Sequence, residues 1–321
     1  MVGSWYDRGT MQTAERQREQ RSFEERLELS PNGLKTWAHC RARFRYEYAE
    51  GLRVWENSER SAEGSIMHAC CEAILLQRCP RDADAVFAWA RTYRDSVSWD
   101  KPVSDTKVSS AALKARIAVA SLERYFPGYH IETVEESYAS PHPEDPTIVL
   151  TGRSDLVLLV PPLGDACPLG GRLAKGGRLV LDWKGISRKP SEESLAYFKR
   201  ASGPQRYDHD LQGVHYSCAL ELAGRPVAAT CLLRVEGPGH SATTRLVDTT
   251  SSARAKSLHL EGLVEIASDI RKPPRASDRT HGDCFVFGQI CKFHRMCAAD
   301  RDAEPLLADL GSLSLQLLKR H

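Results

Sequence analysis

The sequence lacks any apolar run near the roughly 20 residues that a membrane-spanning helix needs. Its first thirty residues also contain no apolar signal core, which predicts a cytoplasmic protein. Net charge is small, because 44 Lys and Arg offset 42 Asp and Glu to leave +2. Total charge therefore gives no argument for a nucleic-acid partner, and only local basic clusters can. In a cytoplasmic chain, the ten cysteines are expected to be metal ligands or buried thiols rather than disulfides.

Two short patterns are also missing. No glycine-rich phosphate loop followed by Lys-Ser or Lys-Thr occurs, which excludes an NTP-driven motor of the protein's own. Tight Cys-x2-Cys pairs, common in zinc sites, are absent as well. What remains is ordinary globular composition, with 41% hydrophobic and 27% charged residues over 321 positions. That length is ample for a large hydrophobic core.

The most informative stretch runs from Arg178 to Gly185. It begins as a branched apolar run, which predicts a buried strand, and ends in Asp182-Trp183-Lys184. Residues two apart on a strand share a face, so the acid and the lysine project together and the tryptophan turns away. Such a carboxylate could hold a divalent cation, and the ammonium could stabilise an activated water or developing phosphate charge. Surface salt bridges with the same spacing are common, and this alternative stays open.

A second predicted strand, residues 147–160, carries Asp155 into an apolar run. A lone buried carboxylate is costly without a partner. If a hairpin register sets Asp155 opposite Asp182 or Lys184, these side chains meet on one face. Two carboxylates that close repel each other unless one takes a proton or a cation lies between them. A divalent metal would remove the conflict.

Two helices bring further pairs of residues one turn apart. Gly64 precedes His68 by one turn, which leaves room for a metal to approach the imidazole. The alternative is a helix-terminal glycine beside a surface histidine. Gln212 and Tyr216 offer an amide and a phenol from one face of a later helix. A helix predicted to begin at Ser30-Pro31 becomes basic and aromatic, which is typical of either a nucleic-acid surface or a solvated face with a buried stripe.

Taken in chain order, these motifs resemble the PD-(D/E)XK nuclease superfamily over about residues 29–297. Within it they are most similar to the RecB-like branch, which includes CRISPR-associated and phage-encoded exonucleases and the AddB nuclease domain. The four motifs are Gly64-x3-His68, Gly152-x2-Asp155, Asp182-x-Lys184 and Gln212-x3-Tyr216. The resemblance implies an α/β fold: a mixed sheet flanked by helices, with a helical N-terminal part tied to the C-terminus by a four-cysteine metal site.

The resemblance also implies a metal centre. His68, Asp155 and Asp182 would ligate Mg²⁺ or Mn²⁺, with the main-chain carbonyl of Trp183 as a further ligand. Ser154 stands where the family name has a proline.

The remaining roles follow from the same resemblance. Lys184 would assist the attacking water, and Gln212 and Tyr216 would position the nucleic-acid strand and Lys184. The implied activity is hydrolysis of DNA by an exonuclease that prefers single strands or ends. Possible partner proteins are a helicase or recombination and CRISPR proteins. The alternative is a DNA-binding module whose nuclease centre is unused, recruited to a replication, recombination or CRISPR-adaptation complex.

Four cysteines match the iron–sulfur members of this branch: Cys40, Cys284, Cys291 and Cys297. Four thiolates are the ligand set of a [4Fe–4S] cluster, and Zn²⁺ is the alternative. The expected organisation is a mobile arm (1–28), a helical region (29–130), the nuclease core (131–275), the cluster segment (276–300) and a C-terminal tail (301–321).

Overall fold

The computed structural model describes residues 26–49, 51, 59–99, 101–163, 169–186, 204–237, 241–272, 285–286 and 289–290. These residues fall into two compact units. One comes from the chain up to Glu56, from Pro141–Leu150 and from Glu261 onward, and the other from Asn57–Ser140 and Thr151–Leu260. Within the described ranges, no helix is both long enough and apolar enough to cross a membrane.

Helices and strands alternate in a pattern typical of an α/β protein. The α-helices of the described residues are α1 (Pro31–His39), α2 (Arg41–Phe44), α3 (Glu59–Leu75), α4 (Ala83–Ser96), α5 (Asp105–Tyr125), α6 (Gly170–Leu173), α7 (Pro204–Leu222) and α8 (Ala253–Ile270), and a π-helical turn (Arg45–Ala49) follows α2. The strands are β1 (Leu27–Leu29), β2 (His130–Pro141), β3 (Ile148–Val160), β4 (Gly177–Ile186), β5 (Ala229–Glu236), β6 (Thr243–Asp248), β7 (Phe285–Val286) and β8 (Gln289–Ile290).

The first unit confirms the expected start of the first helix. Ser30 caps α1, its Oγ accepting the Gly33 N–H at 3.1 Å, and proline occupies the first helical position. The predicted single helix is wrong at Cys40, where the backbone is extended and the chain begins α2. The Cys40 Sγ accepts the Arg43 N–H at 3.4 Å, so the cysteine caps the second helix.

The aromatic residues of this region are mostly internal. Phe44 is fully buried, stacks on Tyr48 with ring centroids 5.0 Å apart and meets Trp37 edge-on at 5.4 Å. Arg41 forms an ion pair with Asp269 at 2.8 Å. For Trp37 and Phe44, these contacts favour a buried apolar stripe of the helix over a surface on which nucleic-acid bases stack.

In the second unit a mixed sheet is flanked by helices, as the sequence predicted. β3 runs antiparallel to β4, β4 runs parallel to β5, and β5 runs antiparallel to β6. One face of β3 and β4, including Leu156, Leu181 and Trp183, joins the large apolar core formed with α3, α4 and α5. On the other face, Val157 and Val180 pack with residues of α7. Both faces are therefore covered, which explains why these strands read as continuous apolar runs.

Candidate active site

The site begins where β3 and β4 lie side by side. Their last recorded pair is Leu156 with Leu181, and one further step of this register sets Asp155 opposite Asp182. The Asp155 Oδ2 accepts the main-chain N–H of Trp183 at 2.8 Å, which fixes the carboxylate against β4. Asp155 is buried, with 7% of its surface exposed. The strand pairing thus brings together two acids that are 27 positions apart in the sequence.

On β4 the alternation of side chains divides Asp182-Trp183-Lys184 between two faces. Trp183 is 1% exposed in the apolar core. The Lys184 Nζ lies 2.6 Å from the Asp182 Oδ2 as an ion pair. The Lys184 side chain is 34% exposed, so the lysine reaches solvent while it stays in contact with Asp182.

Helix α3 supplies the histidine. The His68 Nδ1 lies 3.4 Å from the Asp155 Oδ1 and 3.4 Å from the Glu135 Oε1. Ligand atoms of His68, Glu135 and Asp155 all lie within 4.8 Å of one another. Asp182 is not a member of that group, and its carboxylate pairs with Lys184. A Cβ added at Gly64, one turn before the histidine, would meet no described atom within 4 Å.

Glu135 is the site residue that the sequence analysis missed. It lies in β2 with φ of 51°, a left-handed conformation that is uncommon for glutamate. Its neighbours Glu132 and Glu136 form ion pairs with Arg178 at 2.6 Å and with Arg225 at 2.8 Å. The sequence contains no signal that would single out Glu135 among the three glutamates at positions 132, 135 and 136. The local break in the strand conformation turns Glu135 toward His68.

Charges at the site perturb one another. Burial opposes protonation of His68, but the charge of Asp155 and the contacts with Asp155 and Glu135 outweigh it and raise the histidine pKa to about 10. Burial opposes ionisation of Asp155, yet His68, Lys184 and the Trp183 N–H hold its pKa below the usual value. For Asp182, burial and the nearby charge of Asp155 raise the pKa to about 6, against the opposing effect of Lys184. The centre therefore favours a positive charge between its carboxylates.

Helix α7 brings an amide and a phenol to the same face of the sheet. The Gln212 Nε2 donates to the Tyr216 hydroxyl at 3.3 Å, and both side chains line a small cavity together with Asp182. Gly213 lets the helix approach β5, because a Cβ there would stand 2.9 Å from the Thr230 Oγ1. The close packing of α7 on the sheet thus sets the positions of the Gln212 and Tyr216 side chains.

Gly152 has a packing reason of its own. A Cβ at this position would stand 2.7 Å from the Tyr138 Cζ, closer than real Cβ contacts. The Tyr138 ring, in turn, meets the Tyr216 ring edge-on at 5.7 Å between centroids. Glycine at this position of β3 therefore makes room for a tyrosine layer beneath the candidate site.

The residues present suit a divalent cation. Both carboxylate oxygens of Glu135 and the Oδ2 of Asp182 are buried without a hydrogen-bond partner in the described structure, and their contacts with Arg153 and Lys184 are ion pairs. Carboxylate oxygens and one imidazole nitrogen form a donor set that suits Mg²⁺ less than Mn²⁺, which accepts nitrogen ligands readily. His68, Glu135 and Asp155 could hold such an ion, with Asp182 beside them.

Only one of the four predicted cluster cysteines can be placed. Cys40 is buried at the junction of α1 and α2. Cys284, Cys291 and Cys297 lie outside the described residues. Other described cysteines are buried, as expected of small apolar side chains: Cys70, Cys71, Cys79, Cys218 and Cys231.

A mixed sheet flanked by helices, with a carboxylate pair and a lysine at adjacent strands, defines an α/β protein with a candidate hydrolytic metal centre. Comparison with family models identifies the family. Residues 28–298 match the model of the PD-(D/E)XK nuclease superfamily, and the chain belongs to that superfamily. The predicted superfamily and the predicted mixed sheet flanked by helices are thereby confirmed, whereas the four-cysteine site stays a prediction.

Similar solved structures include an inferred exonuclease from Eubacterium rectale, 13% identical, with a TM-score of 0.49 over 95% of this chain and 96% of that one. A second is the protein SSO0001, also 13% identical, with a TM-score of 0.34 over 92% of this chain and 100% of that one. No curated protein matches the chain. Membership of the superfamily therefore rests on the sequence match.

Proposed function

We propose that this protein is a metal-dependent deoxyribonuclease of the RecB-like branch, an exonuclease that acts on single strands or DNA ends. The observation that carries the proposal is the convergence of His68, Asp155, Asp182 and Lys184 around two paired strands. These residues come from three separate motifs of a chain that belongs to a nuclease superfamily. Metal-assisted hydrolysis of a phosphodiester bond needs a cation site and a group that acts on water, and this set offers both.

His68, Asp155 and Asp182, with the Trp183 carbonyl, would hold Mg²⁺ or Mn²⁺, and Glu135 lies in the same group. A bound divalent cation would supply positive charge to the phosphate and acidify a water molecule. In its absence, the raised pKa of His68 keeps a proton between the carboxylates, which is the charge that an ion would replace. The carboxylates of Asp155 and Asp182 thus provide the negative potential, and His68 adds a nitrogen ligand atom.

Lys184 acts on the reacting groups. Its ammonium is held by the Asp182 carboxylate and is one-third exposed, so it can contact the attacking water or a phosphate oxygen. Donation from a fixed ammonium stabilises the charge that develops on phosphate oxygens during hydrolysis. Gln212 and Tyr216, joined by their hydrogen bond beside Asp182, position the DNA strand and Lys184.

DNA is the proposed substrate and partner, and helicase, recombination or CRISPR proteins are candidate protein partners in the cytoplasm. A [4Fe–4S] cluster would tie Cys40 to Cys284, Cys291 and Cys297, as in the iron–sulfur members of the branch. Protein purified without oxygen should then contain iron and acid-labile sulfide, and Cys40→Ser should lose both. If the protein is colourless and contains zinc but no iron, the four cysteines form a zinc site and not an iron–sulfur cluster.

The function is tested by incubating purified protein with end-labelled single- and double-stranded DNA, in Mn²⁺, Mg²⁺ or chelator. Metal-dependent shortening of linear DNA, with no cleavage of closed circles, is expected of an exonuclease. Cleavage of circular DNA would instead show endonuclease action. Tight binding without cleavage under any metal condition would contradict the proposed enzyme and favour the binding module with an unused centre.

A further inference from the structure

The carboxylates of the candidate active site repel the phosphates of a DNA strand. Glu135 and Asp155 lie in one group, the charge of Asp155 also acts on Asp182, and each phosphodiester of DNA brings a further negative charge. Lys184 is already paired with one of these acids. A strand that enters the site would therefore benefit from a second cationic side chain that reaches solvent from the same group of residues.

Arg153 on β3 has these properties. It stands two residues before Asp155, and 65% of its side chain is exposed, whereas the Glu135 side chain is 11% exposed. The Arg153 Nε lies 2.9 Å from the Glu135 Oε2. Its two terminal nitrogens contact no acceptor among the described residues. One edge of the guanidinium is thus anchored, and the other faces solvent beside the metal-ligand group.

The anchor is itself held from two sides. One oxygen of Glu135 lies 3.4 Å from the His68 Nδ1, and the other contacts Arg153. The left-handed backbone at Glu135 directs the side chain into this position, and such backbone strain is concentrated at functional sites. A buried carboxylate between a histidine and an exposed arginine orients the arginine more closely than solvent contacts could.

We propose that Arg153 binds a phosphate of the DNA strand at the active site, and that Glu135 is the positioning residue that holds its guanidinium in place. The planar guanidinium can donate two parallel hydrogen bonds to phosphate oxygens, which a lysine ammonium cannot. This inference rests on the proposed function, since it assigns a substrate contact to the same site. It gives roles to two residues, Arg153 and Glu135, to which the sequence motifs assigned none.

Binding without metal tests the contact separately from catalysis. Affinity for a fluorescent single-stranded oligonucleotide is measured by anisotropy in chelator, between about 50 and 200 mM salt. Loss of one phosphate contact should make the negative slope of log affinity against log salt shallower by about 0.7. Arg153→Ala and Arg153→Gln should both show this loss, and Arg153→Lys should restore the slope because it restores the charge. Glu135→Gln should keep the slope.

Cleavage in Mn²⁺ then tests the positioning role. Arg153→Ala should raise the KM for DNA roughly tenfold, as expected for one lost charge-assisted contact, and Glu135→Gln should raise it several-fold. Arg172→Ala is the matched control. Arg172 lies on α6, its side chain is 46% exposed, and it forms an ion pair with Asp248 at 2.8 Å. The control variant should leave the salt slope and KM unchanged. Thermal unfolding confirms that each variant is folded.

The outcomes separate the two proposals. Wild-type salt slope and KM in both Arg153→Ala and Arg153→Gln would overturn the phosphate contact and leave the nuclease assignment intact. A slope that Arg153→Lys fails to restore would overturn it as well. Should the wild-type protein bind DNA but cleave none, the proposed function would fail, while the metal-free slopes would still decide whether Arg153 meets the backbone.

Discussion

Replacing Glu63 should expose how strongly a buried charge network holds the helix that carries His68. Glu63 lies on α3, five residues before the histidine, and is buried. Its Oε1 lies 2.7 Å from the Lys114 Nζ, and its Oε2 lies 2.9 Å from the Lys107 Nζ. Lys114 itself is 1% exposed, so this pair is removed from water. The change proposed is Glu63→Gln, which keeps the shape and removes the charge.

The magnitude follows from the perturbed pKa. Burial alone would raise the Glu63 pKa, but hydrogen bonds from Lys114, Lys107 and Ser110 outweigh it and lower the value from 4.5 to about 2. At about 1.4 kcal/mol per tenfold change in the dissociation constant, this difference corresponds to about 3 kcal/mol of unfolding free energy at pH 7. Breaking a buried ion pair by removing one partner costs about 3–5 kcal/mol, which agrees.

The sign of the pH dependence is set by the lowered folded-state pKa. Stabilisation by the Glu63 carboxylate is fully present above pH 4.5 and is lost as the pH falls toward 2. The free-energy difference between wild type and Glu63→Gln should therefore shrink in acid. Less than half, about 1.4 kcal/mol, should remain at pH 3.

Urea denaturation at pH 7 and pH 3 measures this difference directly. Glu72→Gln is the control, because Glu72 lies on the same helix but forms a surface pair with Arg78 at 3.2 Å, with side chains 32% and 63% exposed. Its effect should stay below about 1 kcal/mol at either pH. Equal stability of Glu63→Gln and wild type at pH 7, or a difference that does not change with pH, would refute the reasoning.

Three further predictions concern the site. Asp182→Ala should abolish cleavage but leave DNA binding in chelator largely intact, since affinity depends mostly on phosphate contacts; wild-type turnover would remove Asp182 from the site. Asp155→Ala should raise the Mn²⁺ concentration needed for activity, whereas Lys184→Ala should slow turnover at an unchanged Mn²⁺ requirement, so identical metal titrations would contradict these separate roles. Gly152→Ala should lower unfolding free energy by about 1–3 kcal/mol, because its Cβ would stand 2.7 Å from Tyr138 Cζ; denaturation that matches wild type would show that the ring can move.

The central strands β3 and β4 follow directly from local sequence. Apolar runs predicted the ends of β3 and β4 to within two residues. A strand that is covered on both faces has a continuous run of branched apolar side chains, which is visible in the sequence. Alternation also predicted that Asp182 and Lys184 share a face away from Trp183, and their 2.6 Å contact agrees with that. The order of four short motifs predicted the superfamily that the family comparison confirms.

Sequence could not determine contacts between segments that are far apart in the chain. Asp155 stood out as a charge in an apolar strand, but only the β3–β4 register decided that Asp182 lies opposite it. Glu135 had no local signal in the sequence, and what distinguishes it from Glu132 and Glu136 is its left-handed backbone conformation in β2. The grouping of His68 with Glu135 and Asp155 exists only once a helix and two strands are packed together, since local periodicity carries no information about that distance.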